Sequence, residues 1–512
     1  MKTVSIGLFN ENFRTAEETQ GGAAAREAVR ETVRGIIRHV RENGAAALRE
    51  YGARFDHAEL ETFEVAAPVV RAAFERLRQE EPALWGALTF ASASIHAFAR
   101  LQKEQVYSII LSREECIRPN FIRRKYIRRE YIKREDGRGE WNEWEKARGM
   151  FVGQRILPLD RAAVYVPRGR YPLISTVLMG VVPAVVAGVR EICVTSAPLE
   201  DGLPDYRIMA AAYLAGAHRV FAIGGAQAIA AFALGVSAPR VDAPSASPSG
   251  AGATSADMVG EQEIVPRADI IVGPGNKYVA EAKRQLFGEV GIEAVAGPTD
   301  VLIIADKNAE PELVAADLIA QAEHDVDARA RALVPDRQFA GAVEAEVERQ
   351  LELLPSGQSR ETARASLDAG GLLIVYEVRE EAIAVANRIA PEHLELHVRD
   401  PARWIPALTN YGSLFIGSGS AEALGDYSAG INHTLPTMGS SRFVGGLSVR
   451  HFLKIVTSLR CEDGANTADY LESARIIAEA EGLYGHAQSL ALRQSERARE
   501  AGKSRWREAA RE

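Results

Sequence analysis

Tyr171-Pro172-Leu173-Ile174-Ser175-Thr176-Val177-Leu178-Met179-Gly180-Val181-Val182-Pro183-Ala184-Val185-Val186-Ala187-Gly188-Val189 carries no charge over nineteen successive positions, and its reading decides the fold. The length approaches the roughly 20 residues of a membrane-spanning helix. Two prolines and two glycines divide it, however, and a proline inside a helix removes a backbone donor. A buried helix of a globular domain is the better reading. Glu191-Ile192-Cys193-Val194-Thr195-Ser196 follows as a strand, so the whole predicts a helix packed on a sheet.

Working outward, the same alternation recurs on both sides. Strands are expected at Ala163-Val164-Tyr165-Val166, Arg219-Val220-Phe221-Ala222-Ile223 and Ala268-Asp269-Ile270-Ile271-Val272, with helices over 206–215 and from Ala226. A second series has strands at Val301-Leu302-Ile303-Ile304, Leu372-Leu373-Ile374-Val375 and Ser413-Leu414-Phe415-Ile416, with helices ending at His324 and at Ile389. Strand and helix in turn argue for an α/β fold of two parallel-sheet domains, each an incomplete Rossmann-like winding.

A chain of 512 residues with 47% hydrophobic content can bury a large core. Its net charge of -8 argues against a protein made mainly to hold nucleic acid. Cys116, Cys193 and Cys461 are odd in number and lack metal spacing, which fits a reducing, cytoplasmic setting. The first residues have too short an apolar run for a signal peptide.

The chemistry-bearing segments are spread along the second series. Ala390-Pro391-Glu392-His393-Leu394-Glu395-Leu396 sets a carboxylate beside an imidazole after a proline that should end the preceding helix, and a turn there would let both serve one centre. Such a pair suggests base catalysis. Gln321-Ala322-Glu323-His324 ends a helix that starts with Pro311, and the i,i+3 spacing puts Gln321 and His324 on one face. The loop 425–437 holds Asp426 and His433, and Glu481-Gly482-Leu483-Tyr484-Gly485-His486 lies farther on. Imidazole, carboxylate and amide oxygen together make a mixed N/O shell suited to zinc. Gly417-Ser418-Gly419-Ser420-Ala421-Glu422 begins like a dinucleotide fingerprint, but Glu422 stands in place of the third glycine and would oppose a pyrophosphate. It reads as a loop leading to Asp426.

Taken in order, these segments resemble histidinol dehydrogenase, the zinc- and NAD-dependent family of histidine biosynthesis, over roughly residues 30 to 105 and 150 to 490. The resemblance implies that Gln321, His324, Asp426 and His486 bind zinc and that Glu392 and His393 are the catalytic pair. Substrate contacts would come from Thr299, His433 and Glu481, from His393 and from the zinc-binding residues, with threonine replacing the usual serine at 299. NAD contacts would come from Tyr165, Gln227 and Asn276, in Tyr165-Val166-Pro167, Gly224-Gly225-Ala226-Gln227 and Gly273-Pro274-Gly275-Asn276. The implied reaction is a four-electron oxidation of L-histidinol to L-histidine through the aldehyde, with His393 taking the alcohol proton and Glu392 activating water. The implied domains are 1-160 with 298-447, 161-297 carrying the NAD motifs, and a C-terminal helical segment, 448-512, that pairs the chain into a homodimer with shared active sites.

Three departures stand out. Arg168 replaces a glycine after Tyr165-Val166-Pro167, the stretch from Val236 to Glu263 looks like an insertion of flexible composition, and a short basic and aromatic repeat runs from Phe121 to Glu135. That repeat raises the alternative of a nucleic-acid-binding module. Its own Glu130 and Glu135 and the acidic whole favour a charged surface excursion instead. A second alternative is a sulfopropanediol dehydrogenase of the same superfamily, suggested by Arg170-Tyr171-Pro172-Leu173 and Gly445-Gly446-Leu447.

Overall fold

The structure, a computed structural model, describes residues 1–11, 23–111, 127–133, 140–147, 149–168, 172–239, 261–462 and 467–494. Arg170, Tyr171, most of the 236–263 insertion, much of the basic repeat, Cys116 and the end of the charged tail therefore lie outside the described residues. The chain forms two compact units, Met1–Lys103 with Leu159–Phe452, and Glu104–Pro158 with Leu453–Glu512.

The first unit contains both expected parallel sheets. One has six strands, in the order Lys2–Ser5, Leu372–Val375, Arg329–Val334, Asp300–Ala305, His393–His397 and Ser413–Ile416. Every neighbouring pair in it is parallel. The other has five, in the order Gly291–Ile292, Ile270–Val272, Arg161–Tyr165, Glu191–Ser196 and Arg219–Ala222, also parallel throughout. Parallel strands need helical crossovers that cover both faces, which is why so many of these strands are apolar along their whole length.

The uncharged run forms the helix Ile174–Ala187, buried over most of its surface and ended by Gly188 in the left-handed region. Pro183 lies inside that helix, so the carbonyl of Met179, four residues earlier, has no helical donor. Among the described residues no helix is long and apolar enough to cross a membrane.

Two cores sandwich the six-stranded sheet. Val301, Ile303 and Ala305 face helices Pro311–Ala322, Arg337–Leu353 and Gln358–Gly370 on one side, while Leu302, Ile304, Leu394 and Leu396 face helix Arg379–Ile389 and Trp404 on the other. Each such leucine contributes about 1.5–3 kcal/mol by leaving water. Helix Ala23–Tyr51, placed by sequence with the other sheet, instead buries its Val33, Ile37 and Val40 in the core beside the five-stranded sheet, packed on helices Gly225–Leu234 and Lys277–Leu286. The first sheet takes only the N-terminal strand Lys2–Ser5 from that part of the chain.

The second unit is built on an antiparallel sheet, in the order Leu453–Cys461, Met150–Pro158, Glu140–Ala147 and Ile127–Lys133. The segment expected as helical over 448-512 holds the strand Leu453–Cys461 ahead of its helix Ala468–Ala480. Within the insertion, Val236–Pro239 and Glu261–Val265 pair as a two-stranded antiparallel ribbon, so its two ends are anchored.

Candidate active site

Glu392 and His393 do not share a turn. Helix Arg379–Ile389 ends on Ala390, held at φ 51 in the left-handed region, and Pro391, with no amide to continue the helix, follows. His393 is already the first residue of a strand, paired in register with Val301 on one side and Ser413 on the other. The period of two along that strand then sends His393, Glu395 and His397 to one face, and Leu394 and Leu396 to the opposite core.

Glu392 is anchored from the neighbouring strand. Its Oε2 accepts a short hydrogen bond from the Thr299 hydroxyl and another from the Asp300 amide at 3.1 Å, while its own amide donates to Asp300 Oδ1 at 3.3 Å. Burial raises its carboxyl well above the ordinary range, with the Asp300 and Asp426 charges adding to the effect against the Thr299 hydrogen bond.

His393 is 4% exposed and is ringed by acids. Nδ1 lies 3.5 Å from Glu422 Oε1 and 4.0 Å from Glu392 Oε2, and Nε2 lies 4.0 Å from Asp426 Oδ1. Nε2 is buried without a hydrogen-bond partner. Burial drives its pKa down to about 4, so the ring is neutral near pH 7 and able to take a proton.

The expected zinc-binding residues of the first unit converge on the same place. Gln321 is fully buried at the end of helix Pro311–Ala322, its amide 3.0 Å from the Thr299 hydroxyl and, with nitrogen turned that way, 3.2 and 3.3 Å from the oxygens of Glu422. His324 sits just beyond that helix. Its Nδ1 donates to the Ala320 carbonyl at 3.0 Å, since a carbonyl can only accept, and this leaves Nε2 with a free lone pair 4.0 Å from Asp426 Oδ2. Two metal bonds of about 2.1 Å can span that gap. Among the described residues, His393, Glu422 and Asp426 form a further donor group here, with ligand atoms all within 4.8 Å of one another.

Glu422 was not foreseen as a site residue. Sequence offered it only as the wrong residue for a third glycine, whereas here it opens the helix Glu422–Tyr427 and is almost wholly buried. Burial, then the charges of Asp426, Glu395, Glu392 and Asp317, pushes its carboxyl well above the usual range. Behind it, Glu395 Oε1 accepts from the Glu422 amide at 3.3 Å, and Glu395 Oε2 lies 3.0 Å from His397 Nε2, with Asp317 Oδ2 3.6 Å away. The alternation His393-Leu394-Glu395-Leu396-His397 was the signal that could have found this row.

His433 also lies here. Its Nδ1 donates to the Asp426 carbonyl at 3.0 Å and its Nε2 is 3.3 Å from the Thr176 hydroxyl. Glu481 and His486 belong to the second unit, where both are exposed.

The three expected nucleotide contacts gather at the carboxyl edge of the five-stranded sheet. Its chain order runs from Arg161–Tyr165 through Glu191–Ser196 to Arg219–Ala222 on one side, then crosses to Ile270–Val272 on the other, so the switch point falls between Tyr165 and Gly273. Tyr165 is buried, with its hydroxyl accepting from the Gly225 amide at 3.1 Å and its pKa raised to about 12 by burial. Gln227 is 2% exposed in helix Gly225–Leu234. Asn276 caps helix Lys277–Leu286, its side-chain oxygen accepting from the amides of Tyr278 and Val279 at 3.0 and 3.2 Å. Two helix N-termini thus open on this edge beside glycine backbone, the setting a pyrophosphate takes. Arg168 is tied to the Pro198 carbonyl.

A family model described as histidinol dehydrogenase matches residues 20–123 and 121–494 of the chain. The histidinol dehydrogenase of Thermus thermophilus is 42% identical over 484 residues, covering 93% of this chain and 99% of the relative. That of Methylococcus capsulatus is 40% identical, covering 91% and 92%. Among solved structures, histidinol dehydrogenase from Elizabethkingia anophelis aligns with a TM-score of 0.73 at 30% identity, covering 91% of this chain and 92% of that one.

Proposed function

The chain belongs to the histidinol dehydrogenase family, an oxidoreductase family of histidine biosynthesis, and from that membership we propose that it oxidises L-histidinol to L-histidine through the aldehyde, with zinc and NAD. The observation that carries the reading is His393: buried, neutral, unpartnered at Nε2, and flanked by Glu392 and Asp426. Gln321, His324 and Asp426 would hold the metal, joined by the partner subunit's His486 in a homodimer with shared active sites. Their donor set fits, since His324 presents a lone pair and Asp426 a carboxylate. Bound zinc would orient the substrate's imidazole and amine, and bound NAD would accept hydride.

The remaining steps belong to this chain's own side chains. His393 Nε2 takes the alcohol proton, and Asp426 beside it stabilises the imidazolium that results. Glu392, with Oε2 held by Thr299 and Asp300, deprotonates the water that adds to the aldehyde. Thr299 and His433, with the partner subunit's Glu481, line the substrate. Tyr165, Gln227 and Asn276 belong to the nucleotide edge. The test is a panel of histidinol, histidinal and sulfopropanediol with NAD, followed by NADH absorbance. Turnover confined to sulfopropanediol would reject the substrate.

A further inference from the structure

One buried ion pair has no task in this chemistry. Lys283 Nζ lies 2.6 and 2.7 Å from the two oxygens of Glu293, and the side chains are only 2% and 4% exposed. As a stabilising device such a pair is poor, because removing two charges from water offsets their attraction and apolar residues of similar size often serve as well. Its remaining hydrogen bonds set this pair apart. Lys283 Nζ also donates to the carbonyl of Gly273 at 2.9 Å, and Glu293 Oε1 accepts from the amide of the same residue at 2.8 Å. Both polar groups of one backbone residue are thereby held by two side chains, which no apolar pair could do.

Gly273 needs that help. It is the first residue beyond strand Ile270–Val272, it adopts φ 116, and a Cβ there would meet the Tyr165 carbonyl oxygen at 2.1 Å. Its peptide has left the ladder while still buried, so its donor and acceptor must find partners elsewhere. Fixing Gly273 fixes the direction in which Pro274, Gly275 and Asn276 leave the sheet, and with it the first turn of helix Lys277–Leu286 at the switch point.

We propose that Lys283 and Glu293 are positioning residues for nucleotide binding, holding the loop from Gly273 to Asn276 in the shape that receives the dinucleotide. The proposal rests on reading this edge as the NAD site. Neither residue is among those gathered about His393, so their loss should be felt in the nucleotide's KM and not in that of the alcohol.

The experiment uses the full-length, metal-loaded protein and measures KM for NAD and for histidinol, kcat and melting temperature. In Lys283→Met with Glu293→Met, both charges leave together, and KM for NAD should rise about tenfold or more while KM for histidinol stays within roughly twofold. Glu293→Asp, which keeps the charge, should return KM for NAD most of the way to the parent value. Should the double variant fail to fold, Glu293→Gln alone should show the same split, since it keeps an acceptor for Gly273 and loses the charge that holds Lys283. Asn276→Ser keeps a helix cap but removes the amide, and so tests the loop itself. An effect of Asn276→Ser with none from the pair would overturn the positioning role alone. No effect from either would remove the nucleotide reading of this edge. Equal rises in both KM values would reduce the pair to a structural part.

Discussion

The side-chain amide of Asn432 donates to the carbonyl of Met179 at 2.8 Å, the very group that Pro183 deprives of its helical donor. The oxygen of the same Asn432 accepts from the Thr434 amide at 2.9 Å, so the proline vacancy in one helix becomes the anchor for the loop that carries His433.

Asn432→Ala should therefore cost about 1–3 kcal/mol, the usual penalty for a buried acceptor left unmade, and should raise KM for the alcohol by loosening His433. Adding Pro183→Ala supplies a helical amide to Met179. Thermal melts of the single and double variants check this: stability should return in the double variant while KM stays high. A double variant no more stable than Asn432→Ala would refute the vacancy argument.

The metal reading turns on His324, whose Nδ1 is committed to Ala320 and whose Nε2 faces Asp426. Purified protein should carry about one zinc per chain, and His324→Ala should lose both metal and activity. Elemental analysis beside the assay decides it; a fully active, metal-free preparation would sink the assignment.

Glu392→Gln keeps the shape of the side chain but removes the base. Aldehyde oxidation should fall by roughly 10²- to 10⁴-fold, and alcohol oxidation by less. Single-turnover NADH formation from histidinol and from histidinal separates the two. Equal losses on both substrates would contradict the division of labour.

Acid should expose the cost of burying His393. Its folded pKa, about 4, is below the unfolded value near 6.5, so between those limits the unfolded chain binds the extra proton and stability falls as pH drops. Above about pH 6.5 the residue contributes no slope. His393→Asn should flatten the decline between pH 6.5 and 4, by an amount on the order of 3 kcal/mol at the acid end. Urea midpoints for both proteins across that window provide the measurement, and parallel curves would mean that His393 is not held neutral by the fold.

Much of this was legible because it is written in local pattern. The apolar strands Leu372–Val375 and Ser413–Ile416 and the helix Tyr206–Ala215 fall where hydrophobic runs and flanking breakers put them. The ordered motifs brought Gln321, His324, Glu392, His393, Asp426 and His433 into view. Glu422, Glu395, His397 and Asp317 escaped because their meaning is relational: each is an ordinary acid or imidazole until the fold sets Glu422, from its helix, beside His393 and brings Asp317, from another helix, to Glu395 and His397 on the strand. The docking of helix Ala23–Tyr51 in the core beside the five-stranded sheet is likewise a tertiary choice between two apolar surfaces, to which periodicity is blind. Arg329–Val334 escaped for another reason, since its arginines interrupt the apolar run that marks a buried strand.

Strand His393–His397 is clamped by ladders on both sides, and that governs how the protein can fail. A catalytic group on a surface loop can fray while the rest of the molecule stays intact, but here the amides of Leu394 and Leu396 can exchange with solvent only if an interior strand lets go of its neighbours. Heat inactivation should then have no early phase of its own. The face that carries His393 is as durable as the sheet, and any movement during turnover has to come from what binds to that face.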